Sequence, residues 1–134
     1  NPTALVLATS TFQAVERIGM PESRILLSQC VVYLASSAKS NASYMAINAA
    51  QSLVQETGDL PVPLHLRNAP TSLMSKLGYG EGYAYDHDAP QGHSNQECMP
   101  EGLEGRRIYE PGNNSREQSM RTHLKSLWKD KYGY

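Results

Sequence analysis

Apolar residues recur every three or four positions over the first part of the chain, which is the spacing of one helix face. Residues 2–18 carry such a stripe at Leu5, Ala8, Phe12 and Val15. Residues 21–37 are apolar on almost every side, which is typical of a helix that is buried on several faces. Residues 41–57 carry a third stripe, and its small residues allow close packing. It consists of Ala42, Met45, Ala46, Ala49 and Leu53.

The residues that flank these stretches match the usual ends of helices. Asn1 before Pro2 is typical of a helix start, since proline at the first helical position loses no hydrogen bond. Gly19 ends the first helix, Ser40 is a suitable N-cap for the third, and Gly58 ends it. The first 58 residues are therefore predicted to form a compact three-helix unit.

After Gly58 the helical spacing stops. Residues 59–70, "DLPVPLHLRNAP", contain three prolines, and proline favours extended geometry in its predecessor. A short helix is predicted over residues 68–78, with Leu73, Met74 and Leu77 facing inward. A long loop rich in glycine and tyrosine follows, and such loops are usually functional or wrapped on a surface.

A last helix is predicted to begin near Ser115, because Ser115 to Gln118 fit a capping box. Its apolar stripe consists of Met120, Leu124, Leu127 and Trp128. Another face is basic, with Arg121, Lys125 and Lys129 spaced by four. These three residues and Arg116 are the candidate DNA contacts. The alternative is an ordinary solvated helix face, in which Glu117 pairs with Arg121 four residues later.

Composition limits the possible chemistry. The chain has 134 residues, a net charge of -1 and two cysteines, which indicates one domain in a reducing, cytosolic setting. No stretch is long and apolar enough for a membrane span. The sequence has no phosphate-binding Gly-x-x-x-x-Gly-Lys-Ser/Thr motif and no nucleophile elbow, so no catalytic residue is expected. A small metal enzyme stays an alternative, because one loop holds Asp86, His87, Asp88, His93 and Cys98.

Several segments together resemble one known family over nearly the whole chain. They are "ERIGMPES", "VVYLASSAKSNASYMAINAA", "LPVPLHLRNAP", "LGYGEGYAYDHD" and "GLEGRRIYEPGNNSREQ". In this order they are similar to the C-terminal region of the replication-associated recombination protein A family. This family is also called MgsA, and it includes the Werner-helicase-interacting ATPases.

The resemblance implies a helical, clamp-loader-like collar that assembles the parent protein, typically as a homotetramer. The parent is implied to be a DNA-dependent AAA+ ATPase that acts at stalled replication forks, in the cytoplasm with the nucleoid. Its ATP and Mg²⁺ site would precede this region, so no cofactor or metal is expected here. DNA and single-stranded-DNA-binding protein are the implied partners. The first residue, Asn1, agrees with a piece of a longer protein.

The resemblance has departures in the loops. Asp86 replaces a frequent proline, Gly92-His93-Ser94 replaces an aromatic-rich segment, and Ile108 replaces an aromatic residue. These departures concern loop contacts and leave the helices unaffected.

The domain is accordingly expected to comprise a collar over residues 1–58 and a wrap over residues 59–134 that packs on it. In the wrap, Val62, Leu64 and Leu66 would face the collar, while His65 and Arg67 would face a neighbouring subunit or the C-terminal loop. The full set of candidate contact residues in the wrap is His65, Arg67, His87, Arg106 and Arg107. Glu104 and Glu110 are expected to neutralise the paired arginines locally.

Overall fold

The computed structural model describes every residue from Asn1 to Tyr134, and the fold is all-α, as predicted. The α-helices are α1 (Pro2–Ile18), α2 (Ser23–Ser36), α3 (Ala42–Thr57), α4 (Ser72–Lys76) and α5 (Ser115–Trp128). Single 3-10 turns occur at Leu64–Leu66, Asp86–Asp88 and Pro90–Gly92. No strand is present, and no helix has both the length and the apolar character that crossing a membrane requires.

The chain forms two compact units, Asn1–Ser40 and Asn41–Tyr134, which are called unit 1 and unit 2 below. Helix α3 belongs to unit 2, where it lines an apolar groove of about 500 Å³ together with residues from the later loop. Leu53 of α3 and Leu103 and Ile108 of the loop lie in this lining. The expected boundary after residue 58 thus lies inside unit 2, and a three-helix collar stays a prediction.

Unit 1 consists of α1 and α2 packed against each other. Asn1 caps α1 by accepting a hydrogen bond from the Thr3 amide at 3.2 Å, in agreement with the predicted helix start. Gly19 ends α1 with a positive φ of 73°, which a residue without a β-carbon adopts at little cost. Ser23 opens α2 fully buried, and its hydroxyl and amide both donate to the Gly19 carbonyl.

The proline-rich segment at the start of the predicted wrap is not an extended ribbon throughout. Leu64–Leu66 form a 3-10 turn, in which the Leu66 amide donates to Pro63 O at 3.0 Å. The Arg67 side chain closes the turn, since its Nε donates to Val62 O at 2.6 Å. The prediction that Val62, Leu64 and Leu66 form one packed face is wrong, because Val62 and Leu64 are exposed and only Leu66 is half-buried.

Helix α4 is shorter than predicted. Thr71 caps it by accepting from the Met74 amide at 3.3 Å, and Leu77 follows its last residue. Leu73 and Leu77 are exposed, so the prediction that both face inward is wrong. Only Met74 of the three apolar residues is half-buried.

Helix α5 has the predicted type of cap, but one residue earlier than predicted. Asn114 accepts from the Glu117 amide at 3.0 Å, and Glu117 Oε2 accepts from Gly112 N at 2.8 Å and from Asn114 Nδ2 at 2.9 Å. Glu117 is buried in this cap, and Arg121 pairs with Glu110. The cap fixes the loop before α5 to the start of the helix.

Candidate functional site

Helix α2 presents apolar side chains on three stripes, since each residue turns the helix by about 100°. The most buried stripe holds Leu26, Cys30 and Tyr33. The Tyr33 hydroxyl accepts from Asn1 Nδ2 at 3.1 Å, so this stripe lies towards α1. Two exposed stripes flank it, and they are called the flanking stripes: Ile25 with Val32, and Leu27 with Val31 and Leu34.

Helix α1 is also apolar at its surface. Its exposed apolar side chains are Leu5, Val6, Phe12 and Ile18, and Leu5 is 73% exposed. The accessible surface of the chain is 9992 Å². Two separate compact proteins with the sizes of units 1 and 2 would together expose roughly 8,300 Å². The chain therefore exposes more surface than its size requires, and large exposed apolar patches mark interaction sites.

In unit 2, His65 and Arg67 lie on the half-buried side of the proline-rich segment. His65 Nε2 lies 2.7 Å from the Glu97 carbonyl oxygen. Because a carbonyl only accepts, His65 Nε2 carries the proton and donates. Arg67 lies over the ring of Tyr79, 5.0 Å from its centroid, and also donates to the Tyr79 hydroxyl. Both side chains therefore bind within unit 2, and a contact with a neighbouring subunit stays a prediction.

The Glu97 carboxylate is the centre of the polar contacts in the long loop. Oε1 accepts from the amides of Cys98 and Met99, each at 2.9 Å, and from the Tyr132 hydroxyl at 2.8 Å. Oε2 accepts from Gly105 N at 3.2 Å and pairs with Lys131 Nζ at 3.5 Å. This Glu97 cluster joins two parts of the loop to the residues after α5.

The contacts of Glu97 change its acidity. Partial burial acts to raise the pKa of its carboxyl, but hydrogen bonds from Met99 N, Tyr132 and Gly105 N, with the charge of Lys131, outweigh burial. The pKa is lowered from 4.5 to about 2. Burial first, and then the bond to Glu97, raise the pKa of the Tyr132 hydroxyl above its usual value of 10. Glu97 is therefore ionised and Tyr132 neutral at physiological pH.

Aromatic rings surround Lys131, the lysine that pairs with Glu97. Lys131 Nζ lies 5.1 Å from the ring centroid of Trp128 and 5.8 Å from that of Tyr132, and it donates to Asn95 O at 3.0 Å. The ring of His93 meets Trp128 edge to face at 4.4 Å. Cation–π and edge-to-face contacts of this kind add to the stability that burial of the rings provides. They hold the residues that follow α5 against the loop.

The predicted neutralisation of the paired arginines is found for Arg107. Arg107 Nε pairs with Glu110 at 2.7 Å, and Arg107 Nη1 donates to Gly133 O at 2.7 Å. Arg121 pairs with the other Glu110 oxygen at 2.5 Å and donates to the Pro111 carbonyl. Glu104, in contrast, accepts from Gly102 N at 2.8 Å. Arg106 is exposed.

The four candidate DNA contacts fall into two groups. Arg121 is half-buried, and its guanidinium is already held by Glu110 and Pro111. Arg116, Lys125 and Lys129 are exposed. The exposed Lys125 and Lys129 can reach phosphates, whereas Arg121 would first have to leave its contacts.

The residues of the suggested metal site do not form one. No group of three or more His, Cys, Asp or Glu side chains in the chain could hold a metal ion. Asp86 accepts from the Ser94 amide at 2.9 Å, and hydrogen bonds from the Ser94 side chain and amide lower the pKa of the Asp86 carboxyl. His87 packs against Tyr85 with the ring centroids 5.0 Å apart. Asp86 and His87 thus make the hydrogen bonds and ring contacts of a polar loop.

Known proteins are similar to this chain over most of its length. The family model described as "MgsA AAA+ ATPase C terminal" matches residues 1–128. The chain is 47% identical to Replication-associated recombination protein A of Coxiella burnetii over 92% of its length, and 39% identical to the protein of that name from Escherichia coli K12 over 87%. It is also 38% identical, over 88% of its length, to ATPase WRNIP1 of Dictyostelium discoideum.

The chain spans only a small part of these relatives: 28% of the Coxiella protein, 26% of the E. coli protein and 14% of the Dictyostelium protein. It corresponds to the region that the family model covers. The match over residues 1–128 shows that the chain belongs to the family of MgsA AAA+ ATPase C-terminal regions.

Proposed function

We propose that this chain is the assembly domain, or collar, of an AAA+ ATPase that acts in replication-fork maintenance, recombination and repair. Its copies associate, in our proposal as a homotetramer, and hold the ATPase modules of the parent in a fixed arrangement. The chain itself catalyses no reaction in this proposal. ATP and Mg²⁺ bind to another part of the parent, which the relatives' greater length accommodates.

One observation carries the proposal: α2 is apolar on both sides of its α1-facing stripe. The exposed Arg24 lies at the N-terminal end of the stripe of Leu27, Val31 and Leu34, and the other residues of the flanking stripes are apolar. Val31 and Val32 are 63% and 64% exposed. Burial of apolar surface contributes roughly 25 cal/mol per Å², so covering both stripes would stabilise an assembly considerably. Closed oligomers in which like surfaces meet are the commonest way to cover such a surface.

The wider role follows from the family. Relatives that carry the name Replication-associated recombination protein A support a role of the parent in recombination associated with replication. We accordingly propose DNA and single-stranded-DNA-binding protein as partners of the parent, and the nucleoid in the cytoplasm as its place of action.

Sedimentation of the purified chain over a wide range of concentrations tests the assembly. We expect the mass to rise from one copy towards four copies as the concentration rises. Val31→Lys and Val32→Lys each place a charge on one flanking stripe. Burying an unpaired charge is costly. If a stripe is buried in the assembly, the variant with a lysine on that stripe should therefore have a lower mass than the unchanged chain at the same concentration.

Gln51→Lys is the matched control, since it introduces the same side chain at an exposed position of α3. This variant should assemble like the unchanged chain. A chain that sediments as a single copy at every concentration would refute the collar proposal. Equal assembly of all three variants would assign the interface to a surface other than the flanking stripes.

A further inference from the structure

Three residues other than glycine adopt a positive φ, and all three line one cleft of unit 2. They are Gln91 with φ of 63°, Asn95 with φ of 55° and Lys129 with φ of 53°. The cleft has a volume of about 330 Å³, and it lies between the loop after the Pro90–Gly92 turn and the last turn of α5. Residues held in sparsely populated backbone regions cluster at ligand-binding sites.

Lys129 has the least favourable of the three conformations. It follows the last residue of α5 with ψ of -121°, outside the small left-handed region that side chains tolerate. Glycine is the usual residue at such a helix end. A lysine in place of glycine therefore disfavours folding locally.

The side chains of these three residues are available to a ligand. Neither the amides of Gln91 and Asn95 nor the ammonium of Lys129 makes a hydrogen bond or an ion pair within the chain. The backbone beneath them is fixed instead: Asn95 N donates to His93 Nδ1 at 3.2 Å, and Asn95 O accepts from Lys131. The cleft thus has a rigid floor and free polar groups.

The wall of the cleft is also held in place. Nδ1 of His93 accepts a hydrogen bond, so in the neutral ring Nε2 carries the proton. The ring rests edge to face on Trp128, and the amide of Ser94 is bound to Asp86. Prearranged walls reduce the ordering cost of binding.

We propose that this cleft binds one unpaired nucleotide of single-stranded DNA. Gln91 and Asn95 each offer an adjacent donor and acceptor, the arrangement that pairs with the edge of an adenine base. Lys129 contacts the neighbouring phosphate. The volume lies at the lower end of the range of small-molecule sites, which suits a single nucleotide. The choice of DNA as the source of the nucleotide rests on the proposed function, and the cleft is a site additional to the collar.

An acidic peptide fits the cleft less well. Lys129 is the one lysine or arginine in its lining, whereas the neutral amides of Gln91 and Asn95 favour a neutral polar group. Asp86 lies beside the cleft on Ser94, and Asp130 follows Lys129 in sequence, so two carboxylates would oppose a polyanionic peptide. Single-stranded DNA is also polyanionic, but each nucleotide carries a neutral base beside its phosphate, and this base is the group that the two amides would bind.

Fluorescence anisotropy with the unchanged chain and a short labelled oligodeoxyadenylate tests the proposal. We expect saturable binding, weakened about tenfold or more when an abasic strand of the same length replaces it, because the amides then have no base to bind. Asn95→Gly removes one amide and should weaken adenylate binding by a similar factor, while binding of the abasic strand stays unchanged.

Lys129→Gly should have two opposite effects. It relieves the positive φ, so the midpoint temperature of unfolding should rise by a few degrees. It removes one phosphate contact, so the slope of log affinity against log salt should fall by about 0.7. A residue with a merely structural role would not combine higher stability with weaker, less salt-dependent binding. The control variants Lys76→Gln and Gln55→Ala change exposed residues outside the cleft and should bind like the unchanged chain.

Three outcomes would overturn the proposal: no binding of the adenylate strand, equal binding by the cleft and control variants, or equally effective displacement of the strand by oligoglutamate. Sedimentation of the same samples separates this result from that of the assembly proposal. A chain that assembles without binding the strand rejects the cleft alone, whereas a single copy that binds the strand rejects the collar alone.

Discussion

The two units achieve their order by different means. Unit 1 is almost entirely regular helix, and Asn1 at the start of α1 makes side-chain hydrogen bonds with Tyr33 and Ser37. Unit 2 contains long irregular segments, and these are fixed by buried or half-buried polar side chains such as Glu97 and Glu117. Unit 1 exposes ten large apolar side chains in 40 residues, whereas unit 2 exposes twelve in 94 residues and binds the carboxylates of Glu97 and Glu117 internally.

The difference shows where each unit obtains its stability. Loops lack the repeated backbone hydrogen bonds of helices, so side chains such as the Glu97 carboxylate must satisfy their amides. A pair of helices satisfies its own backbone but is too small to bury its apolar surface. Unit 2 is therefore expected to be stable by itself, while unit 1 is expected to gain stability from association.

The largest effect should come from removal of the Glu97 side chain. Glu97→Ala leaves the amides of Met99 and Gly105, the Tyr132 hydroxyl and Lys131 without their common partner. We expect a loss of about 3 kcal/mol in the free energy of unfolding of unit 2, because unsatisfied buried polar groups cost about 1–3 kcal/mol each and water reaches part of the site. Urea unfolding followed by the fluorescence of Trp128, the single tryptophan, measures it.

Glu101→Ala is the control, since Glu101 is exposed in the same loop and makes no hydrogen bond or ion pair. It should change the free energy of unfolding by less than about 0.5 kcal/mol. A similar loss for both variants would show that the loop responds to any substitution. It would contradict the claim that the Glu97 contacts in particular stabilise unit 2.

The next effect concerns pH. The pKa of Glu97 is lowered in the folded chain from 4.5 to about 2, so its ionised form favours folding at neutral pH. This contribution is fully present above pH 4.5 and is lost as the pH falls towards 2. The full shift corresponds to about 3 kcal/mol, and screening at a side chain that is 20% exposed reduces it to about 2 kcal/mol.

Unfolding of the unchanged chain and of the Glu97→Gln variant over this range of pH isolates the contribution of the Glu97 charge to stability. The difference in stability between the two should be constant above pH 5 and should shrink steadily below it. A difference that is independent of pH would mean that the carboxylate stabilises the loop only by its shape and hydrogen bonds.

The sequence predicted most of the helices, but not the polar contacts of unit 2. The bounds of α1, α2 and α3 agree with prediction within two residues, because apolar spacing and the glycines at positions 19 and 58 are local signals. The Glu97 cluster joins residues up to 35 positions apart, largely through backbone amides, which any residue except proline supplies. Such contacts leave no pattern in a single sequence.

The errors have equally specific causes. Asn114 and Ser115 are both suitable caps, and the sequence alone did not decide between them. The alternation at Val62, Leu64 and Leu66 suggested a strand-like face, but the Arg67 side chain turns the segment back upon itself. In both places a hydrogen bond between nearby residues outweighed the apolar pattern.

The smallest effect compares the same residue type at the starts of two helices, one in each unit. Asn1→Ala and Asn114→Ala each remove a cap and should cost about 1 kcal/mol. Asn1 also donates to Tyr33 and Ser37, so Asn1→Ser should keep the cap of α1 yet still loosen its contact with α2. If unit 1 is completed by association, Asn1→Ala should also raise the concentration at which copies assemble, as measured by sedimentation. Asn114→Ala should leave that concentration unchanged, and an equal shift for both variants would contradict the division of roles between the units.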